Sequence, residues 1–109
     1  MDRIPRSEGR FKKNLTASIR YKDRVFSCVT KNISRTGLYI EAIGINLNSD
    51  RDVSVSLVGE DSLFKLGGEI IWNKTIPCEP GLSPIEGLGI KITNAPSDYL
   101  NFVEYQRYL

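Results

Sequence analysis

Short apolar runs of period two, each closed by turn-forming residues, constrain this chain more than any other feature. Leu15, Ala17, Ile19 and Tyr21 alternate with Thr16, Ser18 and Arg20, which puts one face of a strand in a core and the other in water. Lys22-Asp23 makes a short turn, and Val25 to Thr30 is rich in β-formers and reads as the hairpin partner. The segment Asn32-Ile33-Ser34-Arg35-Thr36-Gly37 breaks that run, with turn formers at both ends. Leu38 to Glu41 resumes a strand, and Asn46 to Asp52 is a polar loop. Val53, Val55 and Leu57 then alternate with Ser54 and Ser56. Phe64, Leu66, Ile70 and Trp72 mark a fifth strand, bulged or bent at Gly67-Gly68. A long loop from Asn73 to Glu86 carries Pro77, Pro80 and Pro84, and Gly87 to Ile92 is the last strand.

Beyond Pro96 the period changes. Tyr99, Phe102, Val103 and Leu109 fall at helical spacing, with Gln106 on the same stripe. Ser97 or Asn94 is placed to cap this helix, and Asp98 suits its first turn. Six short strands without βαβ alternation predict a mainly β fold: an antiparallel sandwich or barrel with a C-terminal helix over about 96–109, and no parallel nucleotide-binding sheet.

At 109 residues the chain is one domain's worth, long enough to bury a modest core without metal or disulfide. The two cysteines, Cys28 in a strand and Cys78 in the proline-rich loop, are too few for a disulfide framework and read as free thiols, one of them core filler. There is no histidine, which removes Ser-His-Asp and Cys-His catalysis and makes a zinc site untenable. No paired-carboxylate or nucleophile signature replaces them, so the chain reads as a non-enzyme. No apolar run has the roughly 18–20 residues needed to span a bilayer. The first residues have no apolar secretory region, which places the protein in the cytoplasm.

The net charge of +2 becomes informative when divided by region. Residues 1–13 carry five cations against two carboxylates, a net +3, which leaves the rest of the chain at −1. Residues 1–13 therefore read as a flexible basic arm, and 14–109 as a nearly neutral barrel. That balance argues against nucleic acid, which wants a broad basic face, and it suits a compact anion. Surface aromatics for base stacking along a strand are not evident either, since Tyr21, Phe26 and Tyr39 are scattered.

Two groups of residues could serve such an anion. Arg6 and Arg10 stand four apart around Gly9, and guanidinium forks suit phosphates and stack on planar bases. A solvated basic tail is the plain alternative. Asn32 and Ser34 carry donors and acceptors that can read a base edge, and Gly37 permits close backbone approach; an ordinary inter-strand turn has the same composition. Trp72 is most simply a core residue, with an aromatic binding wall as the lesser alternative.

In order and spacing these groups resemble the PilZ family of cyclic-di-GMP receptor domains. An RxxxR motif is matched by Arg6 and Arg10, a [D/N]xSxxG motif by Asn32, Ser34 and Gly37, and the later tryptophan and glycine-rich strand by Trp72 and Gly87 to Ile92. The second motif opens on Asn32 rather than aspartate. Pro5 precedes Arg6 where an arginine doublet is frequent, leaving Arg3 as its nearest substitute.

The resemblance implies a six-stranded antiparallel split barrel with a C-terminal helix. It also implies cyclic-di-GMP as the ligand, with no other cofactor and no metal. Arg6 and Arg10 would clamp phosphates and guanines, Asn32 and Ser34 would contact guanine, and Gly37 would allow close approach. Arg3, Arg35 and Gly9 are possible additional contacts. Binding would order the arm over the barrel and pass a second-messenger signal, of the kind that regulates motility or biofilm formation in bacteria, to an unidentified downstream protein. The chain would act as a monomer or weak dimer. A degenerate PilZ-like interaction module that binds no nucleotide is the alternative.

Overall fold

The alternating runs become strands whose inward residues share one core. The computed structural model describes residues 9–108. These form β1 (Arg10–Lys12), β2 (Thr16–Tyr21), β3 (Arg24–Ser34), β4 (Gly37–Ile43), β5 (Asp52–Val58), β6 (Leu63–Ile76), β7 (Ile85–Asn94) and α1 (Ser97–Gln106). Every pairing is antiparallel. The order β3-β2-β5-β6-β7-β4 is closed by pairing of β3 with β4, so six strands form a barrel without open edges between them. Its interior holds Ile19, Ile33, Ile40, Val55, Leu57, Leu88 and Ile90, all essentially inaccessible to water, and each such side chain stabilises the fold by roughly 1.5–3 kcal/mol. The expected six-stranded antiparallel barrel with a C-terminal helix is the architecture found.

A seventh, short strand was not expected. Arg10, Phe11 and Lys12 pair with Ser34, Ile33 and Asn32, so this end of the basic segment is part of the sheet. β1 and β2 run along the same side of β3, interrupted at Lys13-Asn14-Leu15. Thr30 fills the interruption: its Oγ1 donates to the Lys13 carbonyl (2.6 Å) and accepts the Leu15 N–H (2.8 Å). The β3–β4 register slips between Thr30 and Asn32 at the same level. Residues 1–8, and with them Arg3 and Arg6, lie outside the described residues.

Three boundaries also differ. β3 continues through Asn32 to Ser34, leaving only Arg35-Thr36 as the turn. Much of the expected 73–86 loop is strand, because Asn73 to Ile76 pair with Leu88 to Ile85 and only the proline-bearing tip is irregular. Helix α1 begins without a side-chain cap: Pro96 is the N-cap, and its carbonyl accepts from the N–H groups of Tyr99 and Leu100. Neither Ser97 nor Asn94 caps it, whereas Asp98 does sit in the first turn. The helix buries Tyr99 and Val103, and the Phe64 ring meets Tyr99 edge-on and lies against Phe102 (centroids 5.7 and 5.1 Å). The β6–β7 register does slip between Gly67 and Gly68, but the extra residue is Thr93 of β7; β6 itself, where the bulge was expected, pairs with β5 without interruption at this point. No helix among the described residues is long and apolar enough to cross a membrane.

Candidate functional site

The β3–β4 turn owes its shape to Ser34. Its Oγ accepts the N–H groups of Thr36 (3.2 Å) and Gly37 (2.9 Å) and donates to the Gly37 carbonyl (3.1 Å), a local side-chain closure typical of serine in turns. The Thr36 carbonyl accepts the Ile92 N–H at 2.8 Å, tying the turn to β7. A Cβ on Gly37 would stand 3.0 Å from the Ile90 carbonyl oxygen, so this position needs a residue that lets two backbones approach closely.

β1 then brings Arg10, the second arginine of the first motif, to the second motif. Arg10 lies directly opposite Ser34, and Asn32 is flanked by Lys12 on one side and Tyr39 on the other; directly opposed residues have Cβ atoms about 4.5–5.5 Å apart. Arg10, Asn32, Ser34 and Gly37 all line one concavity of about 400 Å³ on the outer wall of the barrel. Of the further candidates, Gly9 is exposed and does not line it. Arg35 also lies outside the lining and instead places its guanidinium 3.9 Å from Glu104 of α1. The Ser34 hydroxyl, expected on a guanine, is engaged within its own turn.

Trp72, read from the sequence as core, is 45% exposed and forms a wall of this concavity. The cause is a second bulge in β6. Ile70 pairs with Ile90 and Trp72 with Gly89, so Ile71 is the extra residue, and one inserted residue turns every later side chain to the other face. Tyr39 and Trp72 are both opposite Gly89, from β4 and β6 respectively. Their rings stack across it with centroids 5.4 Å apart and planes 21° apart. Gly87 and Gly89 make this possible. A Cβ on Gly89 would fall on the Trp72 indole, and one on Gly87 would stand 2.6 Å from the Tyr39 hydroxyl oxygen. The alternation Gly87-Leu88-Gly89-Ile90 thus places two side chains in the core and leaves a floor for two rings on the outside.

Charges surround the platform. The Tyr39 hydroxyl donates to Glu41 (3.2 Å), Lys74 Nζ sits 5.8 Å from the Tyr39 ring centroid, and Lys31 lies 4.0 Å from Glu41. Burial, and then the Glu41 carboxylate, raise the Tyr39 pKa, so the phenol stays protonated and donating. Lys91 lines the concavity together with Arg10. Lys12, Lys13 and Lys31 line a neighbouring hollow of about 300 Å³ that shares Asn32. A flat aromatic face, an amide with both donor and acceptor, and flanking cations suit a planar base joined to a phosphate. Among the described residues no three metal-ligating side chains cluster.

The fold and this wall define a small antiparallel barrel with a concavity on its outside, between an arginine-bearing strand and an N-x-S-x-x-G turn. The PilZ domain model matches residues 4–104, and the chain belongs to the PilZ domain family. The Bacillus subtilis inhibitor of motility MotI/DgrA superposes with a TM-score of 0.65 at 8% sequence identity. The match covers 91% of this chain and 47% of that one, so this chain spans about half that protein's length, and the likeness is one of fold. No curated protein matches the sequence.

Proposed function

We propose that this chain is a receptor domain for cyclic-di-GMP that signals occupancy to a protein partner. One observation carries the reading: the second motif arginine, Arg10, stands opposite Ser34 in the same concavity as Asn32, Gly37 and the Tyr39–Trp72 stack. In this reading Arg10 and Arg6 hold phosphate and guanine, Asn32 reads a guanine edge, Trp72 stacks on a base, and the Ser34 closure and Gly37 shape the turn. Arg3 is a secondary contact in this reading, whereas Gly9 and Arg35 lie outside the lining of the concavity. The first partners to examine are motility proteins, because one solved protein of similar fold is named an inhibitor of motility.

Titration calorimetry with cyclic-di-GMP tests this on wild type, Arg6→Ala, Arg10→Ala and Trp72→Ala. Losing a charge-assisted hydrogen bond at ~1.5–3 kcal/mol predicts about 10- to 150-fold weaker binding for Arg10→Ala. Losing a base–aromatic stack at ~1–3 kcal/mol predicts about 5- to 150-fold for Trp72→Ala. Binding should weaken steeply with salt, because phosphate contacts dominate. A folded wild type that gives no heat overturns the reading and leaves a PilZ interaction module that binds no nucleotide.

A further inference from the structure

The ligand turn is held from a direction that neither motif describes. The Tyr99 hydroxyl, on the buried side of α1, donates to the Ser34 carbonyl at 2.7 Å across 65 residues of sequence. Tyr99 is fully buried, and its phenol is braced edge-on by Phe64. Burial raises its pKa, so it remains a donor through the physiological range. Ser34 is therefore fixed at both ends: its side chain closes the turn on Thr36 and Gly37, and its carbonyl is anchored to the helix. A second, exposed link runs in parallel, because Glu104 lies 3.9 Å from Arg35 of the turn and 2.9 Å from Arg107. Removing the Tyr99 hydroxyl leaves a carbonyl in the middle of the binding motif without its anchor.

We infer that Tyr99 is a positioning residue for the nucleotide turn, and that through it the docking of α1 and the binding of cyclic-di-GMP favour one another. Tyr99 touches no ligand in this scheme. It holds the Ser34–Gly37 backbone in the conformation that presents Asn32 and Gly37 to the concavity. Linkage makes the effect reciprocal: whatever factor α1 contributes to ligand affinity, the ligand returns to the docking of α1. This rests on the proposed nucleotide function for its ligand, but the anchoring itself does not.

Tyr99→Phe tests the inference, because it deletes one hydroxyl and conserves the ring that packs on Phe64. Tyr105→Phe, on an exposed tyrosine of the same helix, is the control. Cyclic-di-GMP affinity should fall about three- to tenfold in Tyr99→Phe, the fold-change that corresponds to one buried neutral hydrogen bond, and should not change in Tyr105→Phe. In wild type, ligand should slow amide exchange along residues 99–106. Without ligand, the Thr36 and Gly37 amides should exchange faster in Tyr99→Phe than in wild type. A purely structural tyrosine would lower the Tm and leave affinity and turn exchange alone, and that result overturns the proposal. If wild type binds no cyclic-di-GMP, the functional reading fails, and the turn-exchange measurement still decides whether Tyr99 positions the turn.

Discussion

Gly89→Ala is the sharpest perturbation of the aromatic wall. An ideal Cβ at this position meets three atoms of the Trp72 indole before anything else, each inside van der Waals contact. The indole must leave Gly89, and in leaving it separates from Tyr39. Overpacking of this kind costs about 1–3 kcal/mol, and a lost aromatic pair, at ~0.5–1.5 kcal/mol, overlaps the lower part of that range. Urea unfolding followed by circular dichroism should therefore show Gly89→Ala less stable by about 1–3 kcal/mol. The emission of Trp72, the only tryptophan, should move to the red. The same change in a Trp72→Ala background should be close to neutral or stabilising, since glycine within a strand is roughly 0.5–1 kcal/mol worse than alanine once the clash is gone. The resulting coupling energy of about 1 kcal/mol or more is well above the ~0.3–0.5 kcal/mol by which independent sites depart from additivity. Equal destabilisation in both backgrounds would refute the reasoning, because it would mean that the indole does not lie on Gly89.

Further outcomes follow from the barrel itself. Thr30→Val keeps shape but removes the hydroxyl that satisfies Lys13 and Leu15 between β1 and β2; thermal unfolding should show a loss of about 1–3 kcal/mol, the penalty of stranding buried polar groups. Cys78 is exposed and Cys28 buried, so a chromogenic disulfide reagent should titrate one thiol rapidly in the native protein and the second only on unfolding. Burial pushes the Cys28 thiol up from 9.0 to about 12. The folded state therefore binds this proton more tightly, and the contribution is fully present below pH 9 and lost as pH rises towards 12. Cys28→Ala should accordingly show a shallower fall of stability than wild type on alkaline titration; identical slopes would contradict this.

What the sequence concealed has physical reasons that differ residue by residue. Ala17, Ile19, Val55 and Leu57 were legible because alternation is local and each occupies the face its neighbours dictate. Trp72 was not, because numbering keeps it in phase with Phe64, Leu66 and Ile70 while the bulge at Ile71 shifts the phase in space. A bulge needs the partner strand to be seen, and β7 lies on the far side of three prolines. β1 was missed because three residues, two of them cationic, become a strand only by pairing with Asn32 to Ser34, some twenty residues away. The glycine spacing at Gly87 and Gly89 was visible as a pattern. Its purpose, a floor for rings from two other strands, was not. Arg10, Asn32, Ser34 and Gly37 were all recognisable as candidates, yet only the register of β1 on β3 shows that Arg10 shares a wall with the other three.

Two segments far apart in the sequence meet at Ser34: Arg10 of β1 lies across from it, and Tyr99, in the first turn of α1, bonds its carbonyl. Contacts between residues so distant in sequence are entropically slow to close, so the surroundings of Ser34 are complete only when β1 and α1 are both in place. Local opening of either segment then releases one side of the same residue, whichever opens first. Ser34 is thus where fraying of the first described strand and undocking of the helix are felt alike.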